Sequence, residues 1–334
     1  MISRRSLFGT VSGLACLTLF GSAGKAWAQD VTMKLTATAA NDLDTEWLRL
    51  LKNGVEARSK GSIRAEIYPA SQLGSAETLI EGVTMGTVEV TMNASGTYEG
   101  LDPRFAALAV PGLIVSMEQG AKLLADADLR QRLRTIARDK GIEVITALVI
   151  SPAAIASKRP IAQLADLRGM QIRVPGSAVI IEQLKRLGAS PVSMSLGEAL
   201  PAFQNGTIDG VFAGTTIFSA LKFADISKNM TVLPGSFVVV VALASTVFLE
   251  ALGPRAAMVR DAAHAADMGG IPWGEADVAN ARMAWEQQGG RVMTLTASDA
   301  EAYLATVVPA GLEHLTPEAR ADYDFFKSVA AKYV

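Results

Sequence analysis

The amino-acid sequence predicts an α/β protein made of two lobes. Segments with alternating apolar residues are interleaved with segments whose apolar residues recur every three to four positions, as in repeated β-α-β units. A chain of 334 residues is long enough for two lobes, yet neither a low-complexity linker nor an internal repeat divides it. Without a linker, strands must cross between the lobes, which favours a hinged clamp over two independent domains.

The first half of the chain supplies four predicted strands and three predicted helices. The strands are expected at residues 31–38, 62–68, 88–92 and 142–150. One helix starts at Asp44 and ends at Gly61, and a second is capped by Ser75 and closes near Gly86. The third is one long amphipathic helix over 117–140.

The second half continues the alternation. Strands are predicted at 170–174, 192–195 and 208–212, with helices at 178–187 and 197–204 between them. The apolar run 237–244 is too short to cross a membrane, and its β-branched residues predict a strand buried on both faces. Thr316 and Pro317 have the N-cap and first-turn pattern that opens a terminal helix.

Residues 1–28 have the layout of a secretory signal peptide. Arg4 and Arg5 form a basic head, an apolar run follows, and Ala26-Trp27-Ala28 is a small-x-small cleavage site. We therefore expect export to the periplasm and no membrane embedding after cleavage. The arginine pair leaves Sec and twin-arginine export both open. Cys16 lies inside the apolar run and does not end it, which argues against lipidation.

Composition argues against several functional classes. Residues 1–28 hold three basic residues and no acidic one, so the remainder has 28 basic and 33 acidic residues and a net charge of −5. An acidic surface disfavours nucleic acid and anionic membrane as partners. Cys16 is the only cysteine, and His264 and His314 lack metal-ligand spacing, so no metal site is expected. Because catalytic and cofactor motifs are also missing, we predict a non-enzyme without a cofactor.

Four groups of residues resemble the substrate-binding proteins of tripartite ATP-independent periplasmic (TRAP) transporters, the DctP-like family. The resemblance depends on their order and spacing between about Val31 and Gly214, and it continues more faintly beyond. The groups are Ile67-Tyr68-Pro69-Ala70-Ser71-Gln72-Leu73-Gly74 with Met85-Gly86-Thr87-Val88-Glu89; Val110-Pro111-Gly112-Leu113; Lys158-Arg159-Pro160-Ile161 with Asp166-Leu167-Arg168-Gly169 and Gln171-Ile172-Arg173-Val174-Pro175; and Leu187-Gly188-Ala189-Ser190-Pro191 with Glu198-Ala199-Leu200 and Gln204-Asn205-Gly206-Thr207-Ile208-Asp209-Gly210.

The resemblance implies a clamshell like that of periplasmic binding proteins, with hinge strands and a long helix spanning both lobes. The first lobe is expected to contain 29–149 and 237–270, and the second 150–236 and 271–334. The long helix would run near 254–288. Here Gly269-Gly270 and Pro272 predict that it is kinked or broken.

Arg173 matches the family's ligand-clamping arginine. Independently of the resemblance, it lies at the end of a short strand whose ladder Pro175 cannot continue. Open α/β sheets bind ligands at the carboxyl ends of their strands. A guanidinium there can grip a carboxylate through two parallel hydrogen bonds. The other reading of Arg173 is an ordinary surface arginine.

The resemblance carries further candidate ligand-binding positions, which follow predicted strands or begin helices. In the first lobe they are Thr38, Asn41, Ser75, Asn93, Ala94 and Thr97, and in the second lobe Ser177, Leu196, Glu198 and Ala213. Ser75 could equally be a helix cap. Glu198 could either orient the polar groups of the site or be a first-turn charge that favours its helix.

Departures from the family pattern narrow the expected ligand. The family often has a second arginine before Lys158, where this chain has Ser151-Pro152-Ala153-Ala154, and Gln-Glu-Asn where it has Val211-Phe212-Ala213. We therefore expect a monocarboxylate with an apolar or aromatic body, delivered to TRAP membrane subunits. A binding protein of an ATP-driven importer or of a sensor system is the alternative.

Overall fold

The computed structural model describes residues 31–334, and its elements alternate as predicted for an α/β protein. The strands are β1 (Val31–Ala37), β2 (Ile63–Tyr68), β3 (Val90–Ala94), β4 (Ile142–Ser157), β5 (Gln171–Val174), β6 (Ser190–Ser193), β7 (Gly210–Gly214), β8 (Asn229–Ser245) and β9 (Arg291–Thr294). The α-helices are α1 (Leu43–Arg58), α2 (Ala76–Met85), α3 (Met117–Ala125), α4 (Ala127–Leu133), α5 (Ala178–Arg186), α6 (Leu196–Asn205), α7 (Thr215–Ala220), α8 (Thr246–Leu252), α9 (Ala256–Gln287), α10 (Ala297–Glu313) and α11 (Pro317–Ala330).

Two long strands connect the halves of the sheet. The strand order is β2-β1-β3-β8-β4-β7-β5-β6, with β9 paired to β8. The later residues of β8 pair with β3 and its earlier residues pair with β9, while β4 runs antiparallel along nearly all of β8. The lobes are therefore joined by crossing strands, and the predicted two-lobed α/β fold is confirmed.

Each half of the sheet is covered on both faces. In β8, Val239, Val241 and Leu243 join one core cluster, whereas Val240, Ala242 and Ala244 join the cluster on the opposite face. This is the pattern expected of a doubly buried strand. In the other half, Ala154 and Ala156 face a cluster around Phe203, and Ile155 faces a cluster around Leu184.

The long helix α9 spans both lobes without the predicted break. It continues through Gly269, Gly270 and Pro272 as one helix. A Cβ added to Gly269 would lie 3.1 Å from Leu50 Cδ1, and one added to Gly274 would lie 3.0 Å from Leu43 Cδ2. The glycines thus allow α9 to pack closely on α1, and this packing outweighs the backbone hydrogen bond that proline cannot make.

The prediction of a single helix over 117–140 is wrong. This segment instead contains α3, α4 and a short 3-10 helix at Arg138–Lys140. Asp126 leaves the helical conformation, with φ of −59° and ψ of 133°, and caps α4 by accepting hydrogen bonds from Asp128 N at 2.9 Å and Leu129 N at 3.1 Å. An Asp side chain that satisfies a new helix start competes with continuation of the preceding helix.

Several element boundaries also differ from the predicted ones. β3 and β7 begin two residues later than expected because Val88 N and Ile208 N donate to carbonyls of the preceding helices. β6 begins earlier, at Ser190, beside β5. Helix α1 is capped by Asp42, whose Oδ1 accepts from Thr45 N at 3.1 Å, so Asp44 lies in the first turn and does not start the helix.

The C-terminal helix α11 packs against the first lobe. Its Tyr323, Phe326 and Val329 belong to the same core cluster as Leu123 and Leu129. These contacts favour grouping residues 317–330 with the first lobe, whereas the sequence prediction grouped 271–334 with the second.

The predicted signal peptide lies outside the described residues. Between Val31 and Val334, no helix combines the length and hydropathy that a membrane crossing requires.

Candidate functional site

A cleft of about 840 Å³ lies between the two halves of the sheet. The first lobe contributes the ends of β1 and β3, the start of α2 and the segment from Leu108 to Ile114. The second lobe contributes the ends of β5, β6 and β7. The crossing strands β4 and β8 form the base through Ile150 and Val239. A molecule in this cleft would therefore contact both lobes and the strands that join them.

Arg173 reaches this cleft from the third position of β5. Its neighbours Ile172 and Val174 point into the core of the second lobe, so the alternation of the strand turns the arginine to the other face. Its Nε donates to the carbonyl of Met194 at 3.0 Å, and its Nη1 donates to the carbonyl of Phe212 at 3.4 Å. Backbone groups beside β6 and β7 thus hold the guanidinium in position.

The Arg173 guanidinium is buried and has no carboxylate partner. The residue is only 6 % exposed, and within residues 31–334 it forms no ion pair. Burial lowers the pKa of Arg173 to about 10, which the negative charge of Glu198 only partly opposes. The side chain therefore remains a cation at neutral pH. Of the described residues that line the cleft, it is the only basic one.

Glu198 lines the cleft but its hydrogen bonds belong to a helix cap. Its Oε2 accepts from Ser195 N at 3.0 Å and from Ser195 Oγ at 2.6 Å, which completes a capping box at the start of α6. These bonds lower the pKa of the exposed carboxyl group, and Arg173 adds a smaller effect. The structure thus favours the helix-capping interpretation of Glu198, which affects Arg173 only through its charge.

Most of the sequence-predicted site residues line the cleft. Asn93 and Ala213 are buried in its wall, and Ser75 also caps α2. Asn41 and Ser177 do not line it: Asn41 is exposed in the loop before α1, with φ of 60°. The predicted residues that line the cleft are Thr38, Ser75, Asn93, Ala94, Thr97, Arg173, Leu196, Glu198 and Ala213.

Ser177 instead takes part in a contact between the lobes. It is fully buried as the N-cap of α5, where its Oγ bonds to a carboxylate oxygen of Glu99 from the first lobe. The other oxygen of Glu99 accepts from Ala178 N at 2.8 Å. A carboxylate at a helix N-terminus is favourable both for its hydrogen bonds and for the helix dipole. This contact links the lobes beside the cleft.

Several residues that line the cleft were not predicted from the sequence. The buried Asp44 lines it from the first turn of α1, and Gln183 lines it from α5 with a buried Nε2 that has no hydrogen-bond partner in residues 31–334. The carbonyls that hold Arg173 leave no sequence signal because any residue type has one. Asp44 had a signal, a first-turn acid following β1, but an acid there also favours the helix dipole.

Much of the cleft wall is apolar. Leu108, Val110, Leu113 and Ile114 line it from the first lobe. Further apolar contacts come from the crossing strands and from the second lobe, through Ile150, Val238, Val239, Val240, Ile180, Phe212 and Ile217. An arginine in such a cleft can bind an anionic group while the walls hold an apolar body.

The chain is similar to known solute-binding proteins over most of its length. The family model for bacterial extracellular solute-binding protein, family 7 (DctP), matches residues 36–314. A TRAP periplasmic solute-binding protein from Desulfovibrio salexigens with bound orotic acid superposes with a TM-score of 0.85 and 23% identity, covering 91% of this chain and 99% of that one.

Curated relatives match more closely in sequence but over shorter segments. A solute-binding protein of Roseobacter denitrificans is 33% identical over 208 residues, which cover 61% of this chain and 63% of the relative. The 2,3-diketo-L-gulonate-binding periplasmic protein of Escherichia coli is 26% identical over 60% of this chain and 61% of its own length. The matched segments thus cover a little under two thirds of these relatives.

Proposed function

This chain belongs to bacterial extracellular solute-binding protein family 7, the DctP-like proteins of TRAP transporters, and we propose that it binds a monocarboxylate with an apolar or aromatic body. The ligand occupies the cleft between the lobes in the periplasm, and the loaded protein delivers it to TRAP membrane subunits. The protein has no catalytic role. Family membership disfavours the alternative of an ATP-driven importer or a sensor system.

The observation that carries this proposal is the buried guanidinium of Arg173. Burying a cation without an anion is costly, and two carbonyl contacts do not neutralise its charge. A ligand carboxylate offers charge and a planar pair of acceptors that match the guanidinium. Gln183 Nε2, a buried donor on the same wall, is a second candidate contact for that carboxylate.

The apolar lining supports a single carboxylate. A second carboxylate would meet no other basic residue among the described residues that line the cleft, and it would face the acidic Asp44, Glu77 and Glu198. Desolvating that second charge costs several kcal/mol without compensation. The orotic acid bound by the protein from Desulfovibrio salexigens carries one carboxyl group on a planar ring, which agrees with the single carboxylate of this proposal.

Ligand binding favours closure of the lobes. A ligand shifts a conformational equilibrium only through contacts that differ between the two states. Here both lobes line one cleft, and beside it Glu99 of the first lobe bonds to Ser177 and Ala178 of the second. We therefore infer that the ligand and the Glu99 contact act together in the closed state, and that the membrane subunits recognise this closed shape.

The division of the chain into lobes follows from the strands and the helix that cross between them. We propose that the first lobe comprises 29–149 and 237–270 together with helix α11, and that 150–236 and most of 271–316 form the second lobe. Helix α9 and the two long strands belong to both.

Isothermal titration with a panel of carboxylic acids tests the function. Arg173→Gln should weaken the tightest monocarboxylate by about 2–5 kcal/mol, or roughly 30- to several-thousand-fold. Arg168→Gln is the matched control, because Arg168 is exposed just before β5 and does not line the cleft. Equal affinities for wild type and Arg173→Gln, or tighter binding of succinate than of every monocarboxylate, would contradict the proposal.

A further inference from the structure

Asp44 is a buried carboxyl group of the cleft with no hydrogen-bond or ion-pair partner among residues 31–334. It is 4 % exposed and lines the cleft from the first turn of α1. Neither of its carboxylate oxygens accepts a hydrogen bond from any described residue, and Oδ1 is fully buried. A buried carboxylate normally has a cationic or hydrogen-bonding partner because desolvation costs several kcal/mol. Asp44 is therefore available to a hydrogen-bond donor or a cation on a molecule bound in the cleft.

A second acceptor without a partner lies on the same wall. Asn93 is 1 % exposed, and its Nδ2 donates to Thr91 Oγ1 at 3.1 Å and to the Tyr98 hydroxyl at 3.3 Å. These two bonds fix the orientation of the amide and leave Oδ1 as a buried acceptor with no partner in the described part of the chain. The first-lobe wall thus offers two oxygens, one from Asp44 and one from Asn93, that both need donors.

These two residues share an electrostatic environment. Burial raises the pKa of the Tyr98 hydroxyl, which holds the Asn93 amide, and the nearby charge of Asp44 raises it further. Burial also raises the pKa of Asp44 itself well above its ordinary value, and Asp42 adds to this effect. A cation beside Asp44 would counter both the burial and the repulsion from Asp42.

The two walls of the cleft therefore present groups of opposite charge to a ligand. The second lobe presents a cation, Arg173, and the first lobe presents an acid and an amide oxygen. We propose that the ligand carries an ammonium group that binds Asp44 and Asn93, so that the protein takes an amino acid with an apolar or aromatic side chain. This inference rests on the proposed function, because the carboxylate of the same molecule must bind Arg173.

An ammonium group fits this wall better than a hydroxyl group. It has up to three hydrogen-bond donors to offer these oxygens, whereas a hydroxyl group donates only one hydrogen bond. It also supplies the positive charge that a desolvated carboxylate needs. The other acids lining the cleft, Glu77 and Glu198, are exposed and remain hydrated, so Asp44 is the acid with the strongest requirement for a cation.

Two ligand series that differ in one substituent test the inference. L-Phenylalanine, L-3-phenyllactate and 3-phenylpropanoate carry an ammonium group, a hydroxyl group or a hydrogen at the same carbon, and leucine with its hydroxy and unsubstituted analogues forms the second series. By isothermal titration, the amino acid of at least one series should bind about tenfold or more tightly than its analogues. Equal or tighter binding of the hydroxy or unsubstituted acids in both series, or no binding of either amino acid, would overturn the proposal.

Substitution of Asp44 separates recognition from a structural effect. Asp44→Asn should weaken the amino acid about tenfold or more and leave the unsubstituted acid unchanged. Glu77→Gln, at an exposed acid of the same cleft, is the control and should alter each affinity less than about threefold. An Asp44→Asn effect of the same size on all three ligands would overturn the proposal, since it would indicate a structural role.

Arg173→Gln distinguishes this inference from the proposed function. It should weaken all three members of a series, because each carries the carboxylate. If Arg173→Gln has this effect while Asp44→Asn has none on the amino acid, the ammonium site is wrong and the carboxylate site stands. If Arg173→Gln leaves every affinity unchanged, the proposed function itself fails.

Discussion

Arg173 and Asp267 are both buried charged residues, but only Asp267 has an oppositely charged partner and side-chain hydrogen-bond donors among the described residues. Asp267 lies in α9 and is 5 % exposed. Its Oδ1 accepts from Trp47 Nε1 at 2.8 Å and from Thr146 Oγ1 at 2.5 Å, while Oδ2 pairs with Arg130 at 3.0 Å. Arg173 has two carbonyl contacts and no anion within the described residues.

The difference distinguishes a charge that ties elements of the fold together from a charge that we propose binds the ligand. The partners of Asp267 come from α1, β4 and α4, so its network ties the long helix to the first lobe. The environment of Arg173 is incomplete, and it opens onto the cleft. Substitution of Asp267 should therefore lower the stability of the fold, and substitution of Arg173 should weaken ligand binding.

The largest effect is expected from Asp267→Ala. It removes the acceptor of three buried or half-buried donors and should lower the free energy of unfolding by about 3–5 kcal/mol, as measured by urea denaturation. Asp324→Ala is the control, because its pair with Arg320 is exposed and should contribute about 1 kcal/mol or less. Equal losses in the two variants would refute the structural role of Asp267.

A smaller loss of stability is expected from substitution of Glu143, a second buried acid that forms ion pairs. Burial alone would raise the pKa of Glu143, but hydrogen bonds and charges of Arg260 and Arg138 outweigh it and hold the pKa below its ordinary value. Its stabilisation is thus present above the unfolded-state pKa of about 4.3 and is lost as the pH falls through the folded-state pKa.

Denaturation at several pH values checks this behaviour. Glu143→Gln should cost about 1–3 kcal/mol at pH 7, and the difference from wild type should shrink as the solution is acidified below about pH 4. If the difference in unfolding free energy between wild type and Glu143→Gln stays constant down to pH 3, the proposed stabilisation by the ionised Glu143 is contradicted.

A gain in stability is expected from an uncompensated acid. Burial raises the pKa of Asp277 to about 6, and the charge of Asp42 adds to the shift. The folded state therefore binds this proton more tightly than the unfolded state, so ionisation destabilises the fold as the pH rises from about 4 to 6.

Asp277→Asn should accordingly raise the free energy of unfolding at pH 7 by about 0.5–1 kcal/mol, since solvent screens this half-buried group. The gain should vanish near pH 4. Glu275→Gln, on the exposed part of the same helix, should produce no comparable gain. A loss of stability in Asp277→Asn at pH 7 would show that the acid is compensated after all.

The smallest change in stability is expected from Arg173→Gln. Removing an unpaired buried cation also removes its desolvation cost, so the free energy of unfolding should stay within about 1 kcal/mol of wild type or rise. The same urea titrations measure it. A loss above about 2 kcal/mol would place Arg173 with Asp267 among the structural charges.

Sequence reasoning succeeded where local chemistry decides the outcome. The alternation of strands and helices follows from hydrophobic periodicity, and the apolar run 237–244 is indeed buried on both faces within β8. Arg173 could be singled out because the residues around it resemble the DctP-like family, and its position at a strand end before proline agrees with that resemblance. It lies in the cleft wall as expected, and its ligand contact stays a prediction.

Reasoning from sequence failed where tertiary packing decides. The intrinsic preferences of Gly269, Gly270 and Pro272 oppose a helix, but the close packing of α9 on α1 overrides them. Asp126 starts a new helix only because its side chain caps α4 and also meets the Tyr333 hydroxyl from the other end of the chain. Ser177 was predicted as a ligand-binding position and Asp44 was not recognised, because the environments of both residues combine segments far apart in sequence.

The position of α11 has a consequence for biosynthesis. This helix covers apolar residues of α3 and α4, yet every strand and helix of the second lobe precedes it in the chain. During synthesis from the N-terminus, that apolar surface of the first lobe must therefore stay uncovered until residues 317–330 have been made, so its native burial comes late.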